Sequence, residues 1–469
     1  MSSSTCLRRF AKSSLERAVQ PSIASRSLIS PQASCFSTSA PRHALPTLAK
    51  ASKGPPPKKG STLILKKKKA PAKAAGRPPA PGDRKAMRKR IVLSNNNALE
   101  VAGLQDLKET DALSGISEGQ VKGLPEDVVD ALRAMEAFKT NQGWKLFRRP
   151  ATLIRKETTE LAGLLKQAEE EKKTVRRVFI GDRMSGKSTL LLQSLSMGFL
   201  RNWVVINLPE AYDIVNAHTE YKPLPGSHPT QYTQDVYTAN FLSQIVKANK
   251  SILENTQITT NPSLPLPLPA KASLKQLAEL GIANVETSWP VFVALWKELT
   301  QPGLPPVMLA LDGLAHAMRN SEYLSAQVKP IHAHDLTIIR HFVDHLSGKA
   351  TLPNGGAILA ATTSSNNPRV PAFEFSMQVA EAKRYHPDNI PQWNPYKNVD
   401  QRVIECLKDV EVLKLNGLSK EEARSIMEYY AASGMLRAKV DDKFVTEKWS
   451  LAGMGNIGEL ERAAVRLRI

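Results

Sequence analysis

The chain has 469 residues and a formal net charge of +20, with 23% of residues charged and 42% hydrophobic. That length suits about two to four domains of ~100–200 residues, and no run approaches the ~18 apolar residues a membrane-spanning helix needs. Residues 1–90 hold 21 Lys/Arg against Glu16 and Asp83, so the remainder is nearly neutral. The balance describes a basic arm on a neutral body, not a basic nucleic-acid-binding globule.

Residues 1–40 contain Arg8, Arg9, Lys12, Arg17 and Arg26, many serines and one acid. Leu7, Phe10 and Leu15 can share a helix face opposite the bases. This is the composition of a mitochondrial presequence, with no apolar core of a secretory signal. Its removal leaves Cys406 as the sole cysteine, which excludes an internal disulfide and a Cys-based zinc site. Residues 41–92 are Pro-, Lys- and Ala-rich, with Lys66-Lys67-Lys68-Lys69 and Arg88-Lys89-Arg90. Such a stretch cannot fold alone. It is read as disordered, either a solvated linker or an arm laid along RNA phosphates, sequence-tolerant because it has no aromatic residues to stack on bases.

Residues 93–175 read mainly as helices: one opened by Pro125-Glu126-Asp127 with the stripe Val128, Val129, Leu132, Met135 and Phe138, and another from Leu153 to Glu171. Val178-Phe179-Ile180 then reads as a buried strand delivering Gly181-Asp182-Arg183-Met184-Ser185-Gly186-Lys187-Ser188-Thr189, a G-x-x-x-x-G-K-S loop. The two glycines let phosphate oxygens approach the main chain, the loop N–H groups and helix N-terminus supply partial positive charge, Lys187 adds a full charge, and Ser188 is placed to ligate Mg²⁺. Leu190, Leu191, Leu192, Leu195 and Phe199 give the following helix a face for the sheet.

Downstream, residues 203–208 form a strand, 219–235 a loop, 241–253 a helix and 261–269, with alternating prolines, a surface excursion. A short helix spans 291–299. Pro306 to Gly313 holds an apolar run ending in the Asp312 carboxylate, the pattern that holds Mg²⁺ through water at a sheet edge. Gly355 to Ser364 is a third buried strand ending in polar residues, with Thr363 and Ser364 as candidate γ-phosphate sensors or a plain strand end. Strands separated by helices imply an α/β fold with a parallel sheet covered on both faces, over residues 176–365. His341 and His345 stand at metal-ligand spacing but lack any H-E-x-x-H context, and are expected on a solvated helix face. Residues 366–400 are punctuated by Pro368, Pro371, Pro387, Pro391 and Pro395 and read as irregular, with Trp393 and Tyr396 as anchors to the body or a partner. The rest of the segment 366–469 forms a small, mostly helical domain: Ser419 and Glu422 form a capping box for a helix stopping at Gly434, 445–449 is a short strand or turn, and Asn456 starts a last helix.

With these landmarks the chain resembles the death-associated protein 3 family of the mitochondrial ribosome. The resemblance rests on Phe147-Arg148-Arg149-Pro150, Leu153 to Glu157, Gly181 to Ser188, Leu309 to Gly313, His334-Asp335-Leu336 and Glu421 to Tyr430, and covers about residues 120–469. It implies a P-loop NTPase fold of the AAA/STAND type, a bound guanine nucleotide (GTP or GDP, with ATP left open) with Mg, and a structural role in the small subunit. The implied partners are small-subunit rRNA, neighbouring ribosomal proteins and the large subunit, in the mitochondrial matrix. The basic arm and Pro-rich insertions look like fungal elaborations. Gly313 follows Asp312 where many hydrolysing relatives carry Glu, no N-K-x-D signature is present, and Glu210 is the best remaining candidate base. The expectation is therefore binding with slow or absent turnover, with a STAND-type NTPase of signalling or cell-death role as the alternative.

Overall fold

A computed structural model describes residues 88–466 apart from 112–116, 261–263, 265, 266, 268, 270, 365, 366 and 397. The presequence and almost all of the basic arm, and most of the proline-rich excursion, lie outside the described residues. At the centre is a parallel five-stranded sheet: β1 (Thr174–Gly181), β2 (Val204–Leu208), β3 (Val307–Asp312), β4 (Gly356–Ala361) and β5 (Glu411–Leu415), in the order β5-β1-β4-β3-β2. The inner strands β3 and β4 and the strand β2 are short runs buried on both faces, as parallel strands tend to be; β1 is buried only over Val178–Ile180, and the edge strand β5 leaves Glu411 exposed. Side-chain alternation divides the core in two. Val178, Ile180, Ile206, Leu309 and Leu311 face one layer, built on helices Asp235–Ala248, Leu274–Ala283, Ser288–Leu299 and Thr337–Leu346. Phe179, Val205, Met308, Ala310 and Leu359 face the other, built on Glu126–Ala134, Lys156–Glu170 and Lys187–Leu200. A third cluster joins Phe147 and Leu153 to the C-terminal helices Lys420–Ala432 and Asp442–Leu451.

The structure differs from the sequence expectations at several points. Residues 93–175 hold two longer helices, not a helical domain. Val121–Gly123 and Ala151–Leu153 pair as an antiparallel ribbon, and the second helix begins at Lys156, after that ribbon. The sheet does not end at residue 365: its edge strand β5 lies inside the expected C-terminal domain and pairs with β1 through Leu415 and Gly181. The supposedly irregular 366–400 contains the helix Pro371–Tyr385. Pro371 takes a first-turn position, where its missing N–H is an orphan donor in any case, so it opens a helix that simple proline counting forbids. Trp393 packs edge-on against Phe375 of that helix at 5.1 Å, while Tyr396 is 96% exposed. Residues 445–449 belong to the helix Asp442–Leu451, whose cap is Asp441 accepting from Phe444 N–H at 2.8 Å. The helix Leu274–Ala283 was legible in a capping box, Ser273 with Gln276, that periodicity alone passes over. The Ser419–Glu422 box and Gly434 stop are as expected.

His341 and His345 are not on a solvated face. Both ring systems pack edge-on against Trp296, at 4.3 and 4.8 Å, and no metal-binding cluster occurs among the described residues. Burial, then the neighbouring His345, pushes His341 from 6.5 down to about 3. The unfolded imidazole takes up its proton below 6.5 and the folded one does not, so this stability is complete above 6.5 and is lost as pH falls towards 3. Urea midpoints should therefore drop on acidification from pH 6.5 to 4.5. His341→Gln should reduce that slope by up to about 1.4 kcal/mol per pH unit; an unchanged slope would contradict the assignment.

Candidate functional site

The Gly181–Thr189 loop joins β1 to the helix Lys187–Leu200, as the sequence predicts. Leu190, Leu191, Leu192 and Leu195 of that helix are at most 3% exposed. At about 1.5–3 kcal/mol per buried side chain, they outweigh the ~0.3–1 kcal/mol of a terminal dipole interaction, so packing holds the helix and leaves its N-terminus free to serve a ligand. Gly181 has φ +145° and Gly186 φ +99°. A Cβ on Gly181 would stand 2.6 Å from Leu415 O, so no side chain fits where the loop passes the edge strand.

The loop is held from outside by its carbonyls. Arg183 O accepts from Asn456 Nδ2 at 2.7 Å, Met184 O from Gly458 N–H at 3.1 Å, and Ser185 O from Arg155 Nη1 at 3.0 Å. A trans peptide points N–H opposite to C=O, so each tether turns the next residue's N–H away from its donor; that of Ser185 donates to Asp182 O at 3.3 Å within the loop. Asn456 does this while capping Ile457–Glu461 through its Oδ1. Gly458 is required because a Cβ there would meet Met184 Cβ at 2.7 Å. Arg155 Nη2 also donates to Asn416 O at 2.7 Å, and Glu157 Oε1 accepts from Asn416 N–H at 3.2 Å. N-terminal and C-terminal segments thus clamp the loop together.

Lys187 is buried and bends over the loop, donating to Gly181 O at 2.7 Å and Asp182 O at 2.6 Å. Burial lowers its pKa, opposed by the Asp312 and Asp182 carboxylates. Ser364 Oγ lies 3.4 Å from the same ammonium, so of the two candidate sensors the structure brings Ser364 to the lysine. Asp312 ends β3, separated from β1 by β4, with Ala361 aligned to both Asp312 and Phe179. It is 3% exposed, and its Oδ2 pairs with Lys139. Glu210 is taken up by Arg88, Nη1 to Oε2 at 2.9 Å. Lys139 carries no local sequence signal, and the signals at Arg155 and Asn456, a family motif and a helix start, do not point to the loop; only the fold assembles the three around it.

Buried Ser185 Oγ and Asp312 Oδ1 have no hydrogen-bond partner among the described residues. Together with the strained glycines and a lysine bonded to two loop carbonyls and Ser364 Oγ, they fit a phosphate group with an associated cation. The fold and site define a parallel α/β protein with a glycine-rich turn clamped at the carboxyl edge of its sheet. Residues 152–463 match the family described as mitochondrial ribosomal death-associated protein 3, and the chain belongs to that family. It is 46% identical over 397 residues to small ribosomal subunit protein mS29 of Neurospora crassa, covering 84% of each chain. It is 24% identical over 362 residues to the Schizosaccharomyces pombe mS29, covering 75% of this chain and 73% of that one. The mouse mS29 matches at 25% over 185 residues, 36% of this chain and 44% of the other. Family membership places the chain in the mitochondrial matrix. No described helix is long and apolar enough to cross a membrane.

Proposed function

We propose that this chain is a structural constituent of the mitochondrial small ribosomal subunit, and that it holds a guanine nucleotide in the Gly181–Thr189 loop as part of its folded architecture. The observation that carries the nucleotide reading is the clamped loop: three carbonyls tied outward, N–H groups turned the other way, and Lys187 beside them. The order β5-β1-β4-β3-β2 supports a P-loop fold of the AAA/STAND type, since it sets the loop strand and the Asp312 strand either side of the strand that leads to Ser364. Loop N–H groups and Lys187 would hold the phosphates, and Ser188 is placed to hold Mg; Asp312, the second residue expected to do so, is already paired with Lys139. The guanine base follows the family resemblance. A ligand that binds only the native state stabilises it by mass action, and here it would lock the two ends of the chain onto one loop.

Slow or absent hydrolysis fits the same geometry. Gly313, not Glu, follows Asp312, and Glu210 is ion-paired to Arg88, so neither supplies a free base. The basic segment 41–92 would contribute rRNA phosphate contacts, with protein neighbours and large-subunit contacts completing the environment. In a sucrose gradient of mitochondrial lysate the chain should co-sediment with the small subunit and whole ribosomes; its absence from both would sink the structural reading. Pure protein should bind GDP, and Lys187→Ala should weaken it at least about 10-fold, the loss of a charge-assisted contact. Steady GTP turnover that Lys187→Ala abolishes would instead favour the NTPase alternative.

A further inference from the structure

Lys139 is delivered to Asp312 by a fixed piece of backbone. Phe138 before it is 1% exposed and meets Trp144 edge-on at 5.3 Å. Lys139 N–H donates to Gln142 Oε1 at 3.0 Å, and its carbonyl accepts from Gln142 N–H at 3.2 Å. Asn207 Nδ2 on β2 donates to Met135 O at 3.3 Å, fastening the same segment to the sheet. The Lys139 side chain is 22% exposed and that of Asp312 is 4% exposed. The pair is therefore shielded from solvent on the carboxylate side, where charges interact more strongly than across open water.

An ammonium and a divalent cation on the same carboxylate would set three positive charges around one negative charge, and like charges at contact distance in a shielded site repel. They are alternatives at Asp312, not companions. With Lys139 in place, Lys187 and Lys139 balance Asp312 and the loop's Asp182, so the partial positive charge of the helix N-terminus faces phosphate oxygens without a metal.

We propose that Lys139 is a built-in counter-cation for Asp312, standing where a divalent cation would stand, so that this chain binds a nucleoside di- or triphosphate with little help from Mg. Any Mg that enters is held by Ser188 and the phosphates, not by Asp312. The inference rests on the nucleotide reading of the loop and specifies how that site balances its charge. It also makes the segment around Lys139, between the helix Glu126–Ala134 and the ribbon strand Ala151–Leu153, part of the phosphate site.

The test is titration of the full chain with fluorescent GDP, in Mg and in EDTA. Wild-type affinity should fall less than about 5-fold in EDTA, whereas Lys139→Met, lacking the charge-assisted contact, should fall more than about 5-fold and recover when Mg is restored. Lys139→Arg keeps the charge and should stay metal-independent. In an Asp312→Asn background the Lys139→Met effect should largely vanish, as expected of a coupled pair. Wild-type binding that falls more than about 5-fold in EDTA overturns the inference while leaving the nucleotide reading intact. So does a Lys139→Met protein that matches wild type in EDTA. No binding by wild type in either buffer overturns the nucleotide reading, and this inference with it. If Lys139→Met does not fold, as judged by circular dichroism, wild type and Lys139→Arg decide the question.

Discussion

Arg88→Met should destabilise the protein by about 3–5 kcal/mol, a drop in Tm on the order of 10 °C by calorimetry. Arg88 is 6% exposed and meets three carboxylates: Glu136 at 3.3 Å, Glu210 at 2.9 Å, and Asp213. Burial opposes its charge, but the surrounding acids raise its pKa overall. Removing the guanidinium leaves Glu136, 3% exposed, with only Gln244 Nε2 at 3.0 Å as a donor, and breaking a buried pair costs more than forming it gains. Arg88→Lys should recover only part of the loss, because one ammonium cannot reproduce a planar fork spanning three acids. The diagnostic variant is Arg88→Met with Asp213→Asn. Relieving one uncompensated charge should return part of the lost stability; no recovery would mean that Arg88 acts through packing alone.

Arg88 also marks where reading the chain in one dimension stops. Arg88-Lys89-Arg90 looks like three equivalent bases of a solvated run, and Lys89 and Arg90 are indeed exposed. Nothing local separates Arg88 from them, because its partners are 48, 122 and 125 residues away. The same holds for Lys139 and Asp312, and for Asn456 and Arg183. What was legible was local chemistry. The glycine-rich turn needs special backbone angles, apolar runs make buried strands, and Ser419 with Glu422 closes a cap. Failures occurred where tertiary context reassigns a local signal. Pro371 starts a helix instead of ending one. Glu411–Leu415 is a five-residue stretch that becomes a strand because β1 offers it an edge. His341 reads as polar until Trp296 covers it. The glycine-rich loop was visible in the sequence; the clamp that orients it was not, since its parts come from residues 155, 416, 456 and 458.

That clamp makes Gly181→Ala the most damaging single-methyl change expected at the loop. Gly181 holds φ +145°, a region L-residues occupy only under strain of about 1–3 kcal/mol. The added Cβ would approach Leu415 O at 2.6 Å and Ser185 Oγ at 3.0 Å. The first is backbone of β5 in register with Gly181, so it yields only if the edge strand moves, and such overpacking costs a further ~1–3 kcal/mol. Movement there displaces Asn416, which follows β5 and is bonded to both Arg155 and Glu157. It also disturbs Gly181 O, which accepts from Lys187. One methyl group should therefore lower Tm and weaken GDP binding together, the latter by at least about 10-fold, or ~1.4 kcal/mol. Gly186→Ala is the contrast. Its Cβ would meet Ile457 Cγ2 at 3.3 Å and Arg155 Nη1 at 3.7 Å, side-chain atoms that can shift, so it carries backbone strain without forcing a strand apart. Calorimetry with nucleotide titration should rank Gly181→Ala well below Gly186→Ala in both stability and affinity. Equal effects would mean that contact with β5 does not set the loop's shape; an unaltered Gly181→Ala protein would mean that the loop tolerates a side chain at its first glycine and is not the rigid cradle described.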